Sequence, residues 1–276
     1  MESELERVRK ALRELGKLLK NLPADPPAKD VHKLRTVARR VEAIAAVLPL
    51  EDGKESRRLL KKIEPVRKAA GGVRDMDVLT ANARRLMRYC PGDSLDHLIA
   101  LLQNARQDNS AELLRTLTQR RKSARQQLKE YTRLVQSALP RANSQTSANG
   151  AANRIHVGIQ TAAMNVVREL ESWPPLDQSN IHAFRLKVKE LRYILQLHEE
   201  ADSHLIDALA NVQRRVGDWH DWQQLGEIAR EVLNPEKDAA LLDRIDHHAK
   251  RKLDQALSAA NRLRGKFLAM PPAYGA

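Results

Sequence analysis

Apolar residues recur along this chain every three or four positions, in the manner of helices with one buried side. Leu34, Val37, Val41, Ile44 and Leu48 form one such set, and Phe184, Val188, Leu191 and Leu195 form another. The alternation of a β-strand is absent, Ala and Leu are plentiful, and only 11 of 276 residues are Gly. Breaks fall at Pro23 to Pro27, Pro49 to Gly53, Gly71-Gly72, Pro91-Gly92, Pro140 to Asn153, Pro174-Pro175 and Pro235. The pattern predicts an all-α protein with helices near 2–21, 29–48, 54–88, 93–138, 152–172, 178–200, 203–233 and 236–268. Four helices fall in each of two halves, 1–140 and 152–268, the count of two stacked bundles. Between them the polar, low-complexity stretch 141–151 reads as a flexible connection.

The halves are also related by repetition. The segment Val31 to Val41 recurs 150 positions later, from Ile181 to Leu191, with His, then Arg three residues on, then a cation four beyond that. At about 100° per residue, His32, Arg35 and Arg39 fall within roughly 60° of one another, with Thr36 and Arg40 at the margin. In the second copy His182, Arg185, Lys189 and Arg192 share a stripe. Each helix buries one face and presents a ladder of cations on the other. From His32 to Arg39 that ladder is about 10 Å long at ~1.5 Å per residue, a length suited to a linear polyanion.

A second repeated element aligns Val66 to Leu79 with Val212 to Leu225: Gly71 or Gly217, a basic residue three later (Arg74 or His220), then Asp75 or Asp221, then Leu four beyond. Glycine here points to close helix packing or a local kink. The two aspartates are expected to cap a helix or pair with a neighbouring cation rather than act in catalysis.

Charge sharpens this picture. The chain carries 48 Lys and Arg against 35 Asp and Glu, a net of +13. Residues 1–150 hold 31 basic and 18 acidic side chains, whereas residues 151–276 hold 17 of each. Such a balance attracts polyanions without naming one. A run such as Arg120-Arg121-Lys122 reads first as a solvated helix face. Aromatic residues are 3% of the chain, too few for a surface that stacks bases. One cysteine, Cys90, excludes an internal disulfide and points to a reducing, cytoplasmic setting. No segment has the apolar length of a membrane span.

With both stripes and both glycine elements in view, the chain resembles the CHAD family, the conserved-histidine α-helical domains. His32-x-x-Arg35-x-x-x-Arg39-Arg40 looks like that family's first signature, and His182-x-x-Arg185-x-x-x-Lys189-x-x-Arg192-Tyr193 its second. Gly72-x-Arg74-Asp75-x-Asp77-Val78-Leu79 is similar to the sequence that follows the first. The resemblance covers about residues 2–268. It implies two pseudo-symmetric four-helix bundles with a central basic cleft or pore, binding of inorganic polyphosphate, and association with polyphosphate granules. It also implies a stand-alone form, without the triphosphate-processing tunnel domain that often accompanies the family. Glu42 and Glu190 stand where the family's signatures commonly carry further cations.

The residues expected to bind polyphosphate are thus His32, Arg35, Arg39, Arg40, Arg74, His182, Arg185, Lys189 and Arg192. Either histidine can contact ligand as a neutral hydrogen-bonding group or anchor the start of its helix; among like charges its proton is disfavoured. No catalytic residue, cofactor or metal site is expected, and His97, His156, His198, His204 and His247-His248 read as surface histidines without metal-ligand spacing. Two other readings remain: a nucleic-acid binder using phosphate contacts alone, and a phosphoanhydride enzyme with Mg²⁺ on Asp75, Asp77 or Asp221.

Overall fold

The computed structural model describes residues 4–23, 26–48, 53–138, 145–198 and 200–268, and of 145–152 and 154 the backbone alone. Among the described residues eight α-helices follow one another: α1 (Glu4–Asn21), α2 (Ala28–Val47), α3 (Lys54–Leu86), α4 (Asp93–Ala138), α5 (Gln145–Glu171), α6 (Ile181–Leu195), α7 (Ser203–Val232) and α8 (Ala239–Leu263). A π-helical turn, Arg264–Leu268, extends α8, and no strand occurs among the described residues. The all-α expectation holds. No helix of the described residues is long and apolar enough to cross a membrane.

Two boundaries differ by five residues or more from those the sequence predicts. Helix α5 starts at Gln145, so 145–151, expected as part of a connection, is helical; residues 139–144 lie outside the described part. Ala148, Ala151 and Ala152 favour helix strongly enough to outweigh Gly150, which costs about 1 kcal/mol against Ala. Helix α6 stops at Leu195, short of 200. Its C-terminal backbone is claimed from far along the chain, since Arg7 Nη1 donates to the carbonyls of Gln196 (3.2 Å) and His198 (2.9 Å).

The chain forms two compact units, each built from segments distant in sequence. Unit 1 comprises Met1–Arg74, Asp108–Asn165 and Tyr193–Ala201; unit 2 comprises Asp75–Gln107, Val166–Arg192 and Asp202–Ala276. Helix length explains why: α4 has 46 residues, and at 1.5 Å each it is roughly 69 Å long, more than one core can cover.

In unit 1, α1 buries Val8, Leu12, Leu15 and Leu19, and α2 buries Val31, Leu34, Val37, Val41 and Ile44. Leu59, Ile63 and Val66 of α3 and Leu113, Leu117 and Leu128 of α4 are buried with them. Each such side chain stabilises the fold by roughly 2 kcal/mol. At Gly72 the packing leaves no room for a side chain, because a Cβ there would stand 2.3 Å from Asn109 Oδ1. In unit 2 the core joins Leu79, Ala83 and Leu86 of α3, Leu95, Leu98 and Leu102 of α4, Trp222, Leu225 and Ala229 of α7, and Leu241 and Ile245 of α8. Phe184, Val188 and Leu191 turn the buried face of α6 inward, with Trp173 set edge-on to Phe184 at 5.6 Å between ring centroids.

Candidate functional site

The anticipated binding residues divide between the units. His32, Arg35, Arg39, Arg40 and Arg74 belong to unit 1; His182, Arg185, Lys189 and Arg192 belong to unit 2.

In unit 1, α2 has every residue of its apolar stripe buried, which leaves His32 exposed and Arg35, Arg39 and Arg40 half-buried on the other side. The Arg35 guanidinium lies along α3 at Gly71, where a Cβ would be 4.0 Å from its Cζ. Partial desolvation, then the charges of Arg74 and Arg35, push the His32 imidazole below its ordinary value. Arg39 is already engaged: its Nη1 donates to Glu42 Oε2 at 3.0 Å, and the other oxygen of Glu42 accepts from Arg67 Nε. Glu64 joins the same network, its carboxyl drawn below the usual range by Lys68 first and then by Arg67 and Arg39. Glu42, one of the two departures from the family pattern, therefore takes up much of the charge of Arg39.

Unit 2 repeats the construction with different partners. Arg185 Nε donates to the Gln213 carbonyl of α7 at 3.1 Å, and its guanidinium rests on Gly217, where a Cβ would stand 3.1 Å from Nη2. Only glycine lets the guanidinium lie this close to the α7 backbone. His182 faces the ring of His220, 4.6 Å away between centroids and tilted by 57°. Burial first, then His220, Arg185 and Lys189, push His182 below its ordinary value. His220 is pushed down by burial and Arg185, against a weaker upward pull from Asp75 and Glu227. Nδ1 of His182 is buried without a hydrogen-bond partner, a polar atom that awaits one. Glu190, the second departure, sits with Lys187 at 3.3 Å, and Lys187 also reaches Glu169 at 2.6 Å, so Glu190 draws on a lysine outside the stripe.

His220 was not among the anticipated residues, although the second repeat aligns it with Arg74. Arg74 lowers the pKa of His32 through its charge, as His220 does that of His182. Of the aspartates considered for Mg²⁺, Asp77 accepts from Arg106 Nε at 3.0 Å. Among the described residues no grouping of three metal-capable side chains includes Asp75, Asp77 or Asp221. One such grouping does occur, Glu4, His156 and His198, so two of the histidines expected at the surface are drawn together, and His198 is buried. A separate basic groove of about 740 Å³ runs along α4, lined by Arg121, Lys122, Arg125 and Lys129 over Leu22, Leu114 and Leu117.

The CHAD domain model matches residues 6–230. Among solved structures, the CHAD domain from the plant Ricinus communis has a similar fold, with a TM-score of 0.61 at 18% identity over 97% of this chain and 91% of that one. No curated protein matches the chain.

Proposed function

Because the chain belongs to the CHAD domain family, we propose that it binds inorganic polyphosphate, without catalysis, through its two histidine-led rows of cations. The observation that carries this reading is that one device is built twice. In each unit a row of His, Arg and a third cation runs along one helix, its arginine is laid against a glycine of the helix that follows, and its histidine is pushed below its ordinary value. Guanidinium groups bind phosphate oxygens through paired N–H donors, and the lysine adds a point charge. Spacing along a helix suits a repeating anion better than a single phosphate. The scarcity of aromatic residues argues against a surface that stacks nucleic-acid bases, and the engagement of Asp77 by Arg106 argues against metal-assisted cleavage of phosphoanhydrides. In cells that store polyphosphate, this activity would bring the protein to cytoplasmic polyphosphate granules.

Isothermal titration with long-chain polyphosphate tests the reading. The expected result is binding that weakens with added salt, is lost when Arg35, Arg39, Arg185 and Lys189 are changed to Glu, and resists competition by DNA at equal phosphate concentration. Absence of binding at low salt, or an unchanged affinity in the fourfold variant, overturns it.

A further inference from the structure

We propose that Glu4, His156 and His198 form a zinc site that fastens three distant segments of unit 1, a function separate from the binding of phosphate. The three side chains come from the first turn of α1, from α5 and from the turn after α6, and their donor atoms all lie within 4.8 Å of one another. His156 Nδ1 stands 3.2 Å from Glu4 Oε1. Two ligands held at about 2.0–2.1 Å on a tetrahedral zinc ion are separated by roughly 3.3 Å, so this pair already has the required bite. The donor atom of His198 lies within 4.8 Å of both. Its ring is 4.9 Å from that of His156 between centroids and tilted by 45°, an arrangement with the two rings converging rather than stacked.

The surroundings are sheltered. The Glu4 side chain is 11% exposed and His198 is 6% exposed, so neither is a loose surface group. Two imidazoles and one carboxylate suit zinc, and a three-ligand set leaves a fourth position for water. One local change accompanies binding. His198 Nδ1 accepts from the Glu200 amide at 3.0 Å, which places the hydrogen of the neutral ring on Nε2. Ligation through Nε2 moves that hydrogen to Nδ1, with no net loss of a proton, and releases the Glu200 amide. Arg7, whose guanidinium holds the carbonyl of His198, places a like charge near the ion and lowers the affinity.

The experiment uses the untagged full chain, stripped with chelator, with Zn²⁺ titrated in the absence of polyphosphate. Expected are one equivalent of bound zinc, a raised unfolding temperature, and a shifted Glu200 amide in the ¹H–¹⁵N spectrum. Glu4→Gln and His156→Gln, both at positions that tolerate a polar side chain, are expected to weaken zinc binding by about 100-fold or more while leaving polyphosphate affinity unchanged. His247→Gln/His248→Gln is expected to change neither. Zinc binding that is equally strong in Glu4→Gln and His156→Gln, or that disappears only in the His247/His248 variant, overturns the proposal, as does a Glu200 amide that stays in place at saturation. Because polyphosphate is omitted, failure here leaves the polyphosphate reading to its own titration.

Discussion

Helices α2 and α6 carry the same row of side chains, but the groups that face each row differ in kind. Near His32 stands Arg74, a permanent cation; near His182 stands His220, which titrates. On α2 the third cation, Arg39, is bound by Glu42, which also holds Arg67; on α6 the glutamate of the second departure, Glu190, holds Lys187. Two copies of one motif have thus been tuned apart. The first row has a fixed charge partly cancelled from within, and the second has a charge that depends on pH and on what is bound. Composition alone points the other way, since the excess of positive charge lies entirely in residues 1–150.

The contrast gives a ranked set of tests. The largest effect is expected from removing charge on α6. Arg185→Gln with Lys189→Gln should weaken polyphosphate binding by more than about 100-fold, at 1.5–3 kcal/mol per charged contact, and Arg35→Gln with Arg39→Gln by roughly 10-fold, since Glu42 already neutralises part of Arg39. Titration calorimetry on the two double variants decides this, and equal losses would remove the asymmetry.

Next come the glycines, read by urea unfolding. Gly72→Ala should destabilise by about 1–3 kcal/mol, since its Cβ would collide with Asn109. Gly71→Ala has ordinary contact distance to Arg35 and should stabilise by roughly 0.5–1 kcal/mol through helix propensity. Gly217→Ala should leave stability near that of the parent but lower polyphosphate affinity, because it displaces the Arg185 guanidinium. A Gly217→Ala protein with full affinity would show that the seat of Arg185 has no bearing on binding.

A smaller gain is expected from Glu42→Gln, which releases Arg39 and Arg67. Polyphosphate affinity should rise by about 3- to 10-fold, in line with roughly 1 kcal/mol for a partly buried ion pair. An unchanged or lower affinity would mean that Glu42 orients Arg39 rather than neutralising it.

The smallest effect concerns pH. His182 and His220 titrate below the ordinary value in the folded protein, so on acidification from about pH 7 the unfolded chain takes up protons first and stability falls. A bound polyanion favours the imidazolium forms against Arg185 and Lys189, so binding should take up protons and tighten as pH drops from 7.5 to 6. Calorimetry in two buffers of different ionisation enthalpy measures the uptake. His182→Gln with His220→Gln should abolish more of it than His32→Gln, because unit 2 presents two such rings and unit 1 presents one.

Much of this was legible in the sequence because it is local. Amphipathic period and proline breaks place α2, α3, α4 and α7 within a residue or two of where they lie, and a helix projection places His32, Arg35 and Arg39 on one side of α2 and His182, Arg185 and Lys189 on one side of α6. What escaped depends on distant partners. The end of α6 is set by Arg7 of α1. The engagement of Arg39 depends on Glu42 holding Arg67 of α3 as well, and no periodicity reveals it. His220 could have been found by carrying the repeat alignment one step further, from Arg74 to its counterpart. Glu4, His156 and His198 meet only because three remote segments pack together, so spacing along the chain held no sign of them. The division into units depends likewise on distant partners, since long helices contribute to both.

The most direct test of the central claim is a crystal structure with a short polyphosphate bound. The account requires phosphate oxygens within about 3 Å of Arg185 and Lys189, or of Arg35 and Arg39. Phosphates ordered along Arg121, Lys122, Arg125 and Lys129, with the α2 and α6 rows left bare, would contradict it.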